Sequence, residues 1–489
     1  MLFNSHIFIL LFLPLLLAGW YFLNWKKKFQ LAQGYLIGMS LWFYAYANLQ
    51  YLWLLLFSCL IGWLLSCVPE KISSEKGKKV LTGVGCVFHL GLLGYFKYSN
   101  FFLENLNTVF HTDFPMLQIL LPVGISFYTF QQLAYLIDRC RGDAPRDSFF
   151  DYLTFMVYFP QLLQGPILLR SEFMGQLKEP ERRRFHAERF SEGIQFFVFG
   201  LAKKVLLADT LAKAVNYGYS NVSMLDSISA LLLAVGYLTE LYFDFSGYCD
   251  MAVGLGKMIG LEVAENFDAP FHSASVKEFW RRWHMTLGRF FTRYVYIPLG
   301  GNRRGKMGTL CNVMIVMLLS GLWHGAAWTF VLWGFLHGVG MIWDNLEHPH
   351  LPKKWMRQAA TFAYVCMTFV FFRAESIAQG VDVLKSIVSL KWNGFVFQMA
   401  SALDLTEFYM ITKALSMKLP RLLSWFWLGI FVVLIAICFR VLSGEKVSGV
   451  VALQRQKGYG RLYPVLLAVL FTWSMISMTG VSEYLYFSF

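Results

Sequence analysis

The sequence predicts an all-α protein that crosses a membrane many times, and three observations support this fold class. Of the 489 residues, 57% are hydrophobic and only 15% are charged, whereas soluble domains average about 25% charged residues. The hydrophobic residues form runs long enough to cross a bilayer, which takes about 20 residues per helix. Lys and Arg residues cluster between these runs, as in the cytoplasmic loops of membrane proteins. The length allows roughly 10–14 crossings or half-crossings.

The net charge of +13 does not indicate a nucleic-acid partner, because of how it is distributed. Basic residues that lie in short clusters between apolar runs set the orientation of membrane helices. Such loops favour membrane lipid headgroups or an anionic cytosolic ligand. The eight cysteines include no Cys-x-x-Cys pair, and most lie in apolar runs, as small buried hydrophobic residues do. No group of His, Asp and Glu has metal-ligand spacing, so we predict no metal site.

The N-terminal quarter of the chain follows a regular alternation. His6–Leu23 is the first predicted helix, and it lacks the charged start and cleavage site of a signal peptide. Lys26–Lys28 follows it and is expected in the cytosol, which places the N-terminus outside. Leu31–Asn48 and Tyr51–Val68 are predicted to form a helical hairpin, and the charged loop Glu70–Lys79 then returns to the cytosolic side.

The alternation changes in the second quarter of the chain. Val80–Phe96 and Leu117–Ile137 are predicted crossings. The next apolar run, Phe149–Leu169, has basic clusters on both sides, so that a single crossing would place one cluster outside. Pro160 and Pro166 interrupt this run, because proline breaks helical hydrogen bonding. We therefore predict a re-entrant or in-plane helix pair that is buried in protein.

Two segments in the middle of the chain combine apolar runs with charge. Phe190–Asn216 carries Lys203 and Lys204, which is typical of an interfacial helix whose lysines reach toward water. Ala230–Phe245 is a predicted membrane helix, with Asp244 at its end or in a polar cavity.

The remaining segments continue to the C-terminus, which the alternation places outside. They are an amphipathic region at the cytosolic interface, Phe267–Lys306; helices at Met307–Leu322, Thr329–Trp343 and Ala359–Phe372; a mixed stretch, Ser376–Lys418; and helices at Leu422–Phe439 and Tyr463–Ile476. No internal repeat or soluble domain is visible. We predict one membrane domain over residues 1–489, with its core at 117–345 and an extracytoplasmic aromatic tail at 484–489.

His324 is the strongest candidate for a functional residue. It lies between two long apolar runs, Val313–Leu319 and Phe330–Trp343, and ionisable residues at bilayer depth are expensive and commonly functional. Its neighbours are glycines and alanines, which let helices or a substrate approach closely. An imidazole with an ordinary pKa of about 6.5 suits proton transfer at neutral pH. The alternative is a structural histidine that hydrogen-bonds between helices.

Five further residues are candidates for a supporting role, and each has a plain alternative. His284 lies in an arginine- and tryptophan-rich segment, where it would orient a thioester or share the proton transfer, or would be an ordinary interfacial residue. Four arginines recur at roughly helical spacing and suit phosphate groups, although cytosolic anchoring explains them equally well. These arginines are Arg281, Arg282, Arg289 and Arg293. His337 follows His324 by 13 positions, which places it on another helical face and favours a packing role.

Several motifs together resemble the membrane-bound O-acyltransferase (MBOAT) family. The resemblance is to the branch that acts in alginate O-acetylation, peptidoglycan acetylation and D-alanyl transfer. It covers nearly the whole chain, and the motifs occur in the family's order. The motifs are Leu121-Pro-Val-Gly-Ile-Ser-Phe-Tyr-Thr-Phe, Tyr158-Phe-Pro-Gln-Leu-Leu-Gln-Gly-Pro-Ile, Gly200-Leu-Ala-Lys-Lys-Val-Leu-Leu-Ala-Asp, Tyr242-Phe-Asp-Phe-Ser-Gly-Tyr-Cys-Asp-Met-Ala, Trp280-Arg-Arg-Trp-His-Met-Thr-Leu, Tyr296-Ile-Pro-Leu-Gly-Gly-Asn and Gly321-Leu-Trp-His-Gly.

The resemblance implies a fold, a reaction and partners. The fold would be a ring of about 11–13 membrane helices, with re-entrant or in-plane helices around a central tunnel, in a bacterial inner membrane. His324 would lie at the narrow point of the tunnel, and His284 would match the family's second histidine on the cytosolic side. The donor would be acetyl-CoA or an acyl carrier protein thioester. An acetyl group would pass to an extracytoplasmic polysaccharide, with the help of a transferase of the SGNH type or one like AlgX, AlgJ or PatB.

Three rival functions remain open at this point. The first is D-alanyl transfer from a carrier protein to a cell-envelope polymer, and the second is acylation of a lipid or a protein. The third is a transporter or flippase with a polar tunnel. The inverted repeat that many transporters carry is not visible in this sequence.

The C-terminal segment Tyr484–Phe489 resembles the short aromatic tail of family members. In that comparison Tyr486 would carry the acyl group briefly, between the cytosolic donor and an outer transferase. The alternative is a tail of aromatic residues that sits at the membrane surface.

Overall fold

The computed structural model describes residues 1–346, 352–403, 405, 409–442, 446–457, 460 and 462–478. In these ranges the chain forms α-helices with short 3₁₀ and π segments, and no strand. The α-helices are α1 (Leu13–Trp25), α2 (Phe29–Ser66), α3 (Glu75–Leu93), α4 (Ser99–Phe110), α5 (Ile125–Arg141), α6 (Phe149–Val157), α7 (Phe159–Leu162), α8 (Arg170–Leu177), α9 (Ala187–Ala202), α10 (Asp209–Ser220), α11 (Ser227–Ile259), α12 (Val276–Arg282), α13 (Met285–Phe291), α14 (Gly305–His324), α15 (Trp328–Asn345), α16 (Lys354–Arg373), α17 (Ile377–Val388), α18 (Phe395–Ser401), α19 (Tyr409–Lys418), α20 (Pro420–Leu442), α21 (Val447–Lys457) and α22 (Leu462–Ser477).

Six helical segments in the described ranges are long and apolar enough to cross a membrane. They are Phe8–Trp25, Leu49–Lys71, Glu75–Phe110, Ser227–Ile259, Gly305–His324 and Pro420–Phe439. This confirms the predicted class, an all-α polytopic membrane protein. The ring, the tunnel and the count of 11–13 membrane helices stay predictions.

The chain divides into two compact units, each built from segments that are discontinuous in sequence. Unit 1 comprises Met1–Val198, Tyr248–Asn266 and Thr286–Pro298. Unit 2 comprises Phe199–Gly247, Phe267–Met285 and Leu299–Phe489.

In unit 1, the single helical element α2 covers both helices of the predicted hairpin. Gln33, in its first half, donates a hydrogen bond to Asp151 at 2.9 Å. Trp63, in its second half, packs against Phe149 with 5.3 Å between ring centroids. Thirty residues of straight helix would separate the two contacts by about 45 Å, yet both reach the same end of α6. The helix is therefore sharply bent, and its two halves lie side by side.

The broken apolar run 149–169 is also confirmed in unit 1. Helix α6 ends at Val157, the four-residue α7 follows, and Leu163–Leu169 is not helical. The segment is buried from Tyr152 to Leu168. This burial agrees with the rule that non-helical backbone is tolerated at membrane depth only where protein surrounds it. The predicted crossing at 117–137 begins later than expected, at Ile125, because Pro122 precedes it and Gly124 takes a left-handed φ of 79°.

In unit 2, the prediction that the lysines of 190–216 reach toward water is wrong for Lys204. Its side chain is 2% exposed, and its Nζ lies 2.6 Å from Asp244 and 2.8 Å from Asp209. Lys204 belongs to a π-helical segment, Lys203–Ala208, between α9 and α10. Asp244 lies in α11, so the ion pair joins two buried elements. The Lys204 side chain therefore points into the interior and not toward water.

The start of α11 depends on a buried carboxylate, Asp226. It accepts hydrogen bonds from the backbone N–H groups of Ser229, Asn393 and Gly394, at 2.8, 3.1 and 3.1 Å. Burial alone would raise the pKa of Asp226, but these donors outweigh it and lower the pKa below its ordinary value. One side chain thus caps α11 and anchors the turn before α18.

We expect Asp226→Ala to lower the free energy of unfolding by about 1–3 kcal/mol, because buried donors lose a charged acceptor. A carboxyl whose folded pKa is lowered stabilises the fold above its unfolded pKa. The loss should therefore be full at neutral pH and shrink below about pH 4. Denaturation in mixed micelles, at neutral pH and below about pH 4, measures the loss of unfolding free energy. Asp382→Ala, at an exposed residue, is the control, and equal losses from both variants would contradict the anchoring role.

Candidate active site

His324 is the last residue of α14, in unit 2. Gly325 after it is extended, with φ of −157° and ψ of 150°, and α15 begins at Trp328. The predicted helices on either side of the histidine are therefore confirmed. His324 is 4% exposed, and its imidazole is packed among aromatic rings. The centroid distances are 4.9 Å to Trp323, 5.2 Å to Trp333 and 5.2 Å to Phe372.

Two glycines bring α14 and α15 into backbone contact just before His324. A Cβ atom added at Gly321 would collide with the carbonyl oxygen of Phe330, and one added at Gly334 would collide with the carbonyl oxygen of Met317. Such small residues let membrane helices pack closely. The contact fixes the residues of α15 relative to His324.

His284 lies in the same unit, between α12 and α13. It is 1% exposed, and its ring centroid lies 4.7 Å from Phe245 and 6.4 Å from His324. The structure thus brings together the two histidines that the sequence singles out. Burial lowers the pKa of His284 to about 3, so its imidazole is neutral at neutral pH.

The backbone at His284 is strained. Its φ is +46°, in the left-handed region that residues with a Cβ rarely adopt. Such strain costs about 1–3 kcal/mol and clusters at functional sites. The turn also separates α12 from α13, so the helical spacing of the four candidate arginines does not place them along one helix.

Arg281 and Arg282 belong to unit 2. Arg281 is exposed. Arg282 contacts Glu278 at 2.9 Å and donates to the carbonyl oxygen of Asp268 at 3.3 Å. Because its side chain is exposed, Arg281 is accessible to an anionic ligand. Arg282, by contrast, already has a carboxylate partner.

Arg289 and Arg293 belong to unit 1, and both are ion-paired there. Arg289 donates to both carboxylate oxygens of Glu172. Arg293 lies 2.9 Å from Asp138 and 3.0 Å from Asp143. These ion pairs join segments of unit 1, so the two arginines stabilise its packing. A phosphate ligand would have to compete with their carboxylate partners.

His337 agrees with the predicted packing role. It is fully buried, and Trp280 donates its indole N–H to Nδ1 of His337 at 3.2 Å. The other ring nitrogen, Nε2, lies 2.9 Å from the Thr368 hydroxyl. Both nitrogens are thus engaged within the protein. The predicted tail residue Tyr486 lies outside the described residues.

The aromatic wall around His324 is the part of the site that sequence reasoning missed. Trp333 and Phe372 come from two other helices, α15 and α16, and only the fold brings them to the imidazole. The glycine at 334, opposite Gly321, was a usable signal, because paired small residues on neighbouring apolar helices indicate close packing.

The arrangement is suited to proton transfer away from water. Two imidazoles lie 6.4 Å apart within an aromatic enclosure, and low-dielectric surroundings strengthen electrostatic interactions. A histidine in such a place is able to take a proton from a hydroxyl as that hydroxyl attacks a carbonyl carbon.

Comparison with known proteins gives a consistent result. Residues 141–375 match the model of the membrane-bound O-acyltransferase family, MBOAT. The chain is 36% identical to the peptidoglycan O-acetyltransferase of Helicobacter pylori over 423 residues, 80% of each chain. It is 39% identical to a probable alginate O-acetylase, AlgI, of Azotobacter vinelandii over 77% of this chain and 76% of the relative. A teichoic acid D-alanyltransferase of Streptococcus thermophilus is 28% identical over 49% of this chain and 58% of its own.

Proposed function

The chain belongs to the membrane-bound O-acyltransferase family, and we propose that it moves an acetyl group from a cytosolic thioester to an extracytoplasmic polysaccharide. The similarity to a peptidoglycan O-acetyltransferase over 80% of both chains supports the acetyl group and the polysaccharide. The enzyme would work as a single acyltransferase domain in a bacterial inner membrane. The observation that carries the site is the pairing of buried His324 with buried His284, 6.4 Å apart.

In the proposed reaction His324 is the general base. An acceptor hydroxyl gives its proton to the imidazole while its oxygen attacks the thioester carbonyl carbon. The new C–O bond forms and the C–S bond breaks, so that the electron pair leaves on sulfur. The imidazolium then returns the proton to the thiolate, and no net proton is consumed. His284 borders the same enclosure and would orient the thioester.

Acetyl-CoA is the proposed donor, and its phosphates need cationic partners. Exposed Arg281 is the best placed of the four candidate arginines, since the other three are engaged with carboxylates. Arg282, Arg289 and Arg293 would reach a phosphate only by leaving those partners. The final transfer to the polysaccharide would involve a separate extracytoplasmic transferase.

A first experiment measures free thiol release from acetyl-CoA by the purified protein in nanodiscs, with and without a glycan acceptor. Release would support the acetyl donor. Release only from a D-alanyl carrier protein would favour D-alanyl transfer, which the similarity to a teichoic acid D-alanyltransferase makes the second candidate. Absence of thioester cleavage with either donor would contradict an acyltransferase and favour a transporter.

Tyr486 is proposed to carry the acetyl group between the two transfers. We expect Tyr486→Phe, which keeps the ring and removes the nucleophilic hydroxyl, to abolish acetylation of the polysaccharide in cells. Mass spectrometry of the C-terminal peptide should show an acetyl group in the wild type and none in the variant. Tyr484→Phe is the matched control. Full polysaccharide acetylation by Tyr486→Phe would exclude the relay.

A further inference from the structure

Trp333 lies at the centre of the aromatic cluster that encloses His324. Its side chain is fully buried in unit 2, and five rings surround it. The centroid distances are 5.2 Å to His324, 4.8 Å to His337, 5.6 Å to Trp280, 5.4 Å to Phe369 and 5.0 Å to Phe372. A tryptophan in such surroundings has a large apolar body and one polar atom, the indole N–H.

That indole N–H has no acceptor among the described residues. The neighbouring His337 does not supply one, because its Nδ1 accepts from Trp280 and its Nε2 is engaged with Thr368. A buried donor without an acceptor costs about 1–3 kcal/mol. Buried polar groups in proteins are almost always paired, so an exception indicates a ligand, a bound water or a functional role. Trp280 belongs to the same cluster, and its indole N–H donates to His337. The aromatic surroundings therefore do not by themselves prevent an indole N–H from finding an acceptor.

We propose that the indole N–H of Trp333 binds the carbonyl oxygen of the acyl thioester beside His324. The proposal rests on the proposed acyltransferase function. The rings of Trp333 and His324 are perpendicular, at 87°, with centroids 5.2 Å apart. The indole ring therefore lies beside the base. In the proposed reaction Trp333 is a catalytic residue, which contacts the carbonyl group that a hydroxyl bound to His324 attacks.

The role follows from where negative charge develops. As the hydroxyl oxygen attacks, the carbonyl π electrons move onto the carbonyl oxygen, and the hydroxyl proton moves to His324. The N–H stabilises this oxyanion. When the oxyanion reforms the C=O bond, the C–S bond breaks, the electron pair leaves on sulfur, and the thiolate takes the proton from His324. A donor that is fixed in a site without water is worth far more than one in solution.

The position of Trp333 is fixed well enough for this task. It immediately precedes Gly334, where α15 touches the backbone of α14 at Met317. His324 follows Gly321, the other end of the same contact, by three residues. Donor and base are therefore held by one rigid pair of helices, as preorganised stabilisation requires.

The test removes the N–H and keeps the shape. Benzothienylalanine, in which sulfur replaces the indole N–H, is incorporated at position 333, and Trp333→Phe is made as a second variant. We expect kcat for thiol release to fall about 10²–10³-fold, the effect of losing one oxyanion donor. The KM for acetyl-CoA and the shape of the pH profile should change little, because the group does not titrate. Thermal unfolding should match the wild type for the isostere.

The same isostere at Trp280 is the matched control. It removes an N–H that already has a protein acceptor, so it should lower the unfolding temperature and leave kcat close to the wild-type value. Wild-type kcat in the isostere at position 333 would overturn the proposal and leave Trp333 a packing residue. A wild-type protein that cleaves no thioester would instead contradict the proposed function, so the two failures are distinguishable.

Discussion

Replacing His324 with alanine is expected to lower the rate of thiol release about 10²–10⁴-fold, the contribution of a general base. The attacking hydroxyl would then have to lose its proton without an acceptor in an enclosure of aromatic rings. The measurement is the steady-state rate of thiol release in nanodiscs over a range of acetyl-CoA concentrations. The KM should change less than kcat, because the imidazole acts mainly in the transition state.

His337→Asn controls for the loss of a buried imidazole. His337 lies one ring away from His324, behind Trp333, and both its nitrogens hold packing contacts. Its replacement should lower the unfolding temperature and retain most of the rate. If His324→Ala releases thiol as fast as the wild type, then His324 is structural and the proposed mechanism is wrong.

Replacing Lys204 with methionine is expected to destabilise the protein by about 3–5 kcal/mol, the cost of breaking a buried ion pair on one side. Methionine fills a similar volume but removes the cation that lies 2.6 Å from the buried carboxylate of Asp244. Asp209, which is 23% exposed, keeps part of its hydration. Unfolding in mixed micelles measures the loss.

Lys257→Met is the matched control for that loss. Its partner Glu192 lies 3.0 Å away, and the two side chains are 20% and 17% exposed, so water screens the pair and the loss should be smaller. The double variant Lys204→Met with Asp244→Leu should recover stability, because the buried carboxylate is removed together with its cation. No recovery would mean that the lysine stabilises the fold by packing alone.

The sequence predicted the fold class and the burial of His324 between two helices, because both depend on hydropathy. Apolar runs define membrane helices whatever their neighbours are, and an imidazole between two such runs is visible without a structure. The enclosure was not visible. Trp333 and Phe372 meet His324 because three helices converge, and hydropathy says which segments are buried but not which of their faces meet.

Two local features of the structure are not visible in the sequence, for the same kind of reason. The arginines after residue 280 have helical spacing, but the single left-handed residue His284 divides their segment in two, and periodicity does not detect one unusual φ angle. Lys204 looked like an interfacial lysine because its partner Asp244 lies 40 positions away in the sequence. Long-range ion pairs leave no local signal.

The pairing of Lys204 with Asp244 bears on how the chain enters the bilayer during synthesis. An aspartate at the centre of a helix costs about 2.5–3.5 kcal/mol on the insertion scale of the translocon, and α11 carries Glu240 one turn before Asp244. This helix is therefore a poor substrate for insertion on its own. Because Lys204 precedes α11 in the chain, the cation has already left the ribosome when Asp244 emerges. We expect the order of the two residues to let α11 enter lipid with the charge of Asp244 neutralised by a segment made earlier.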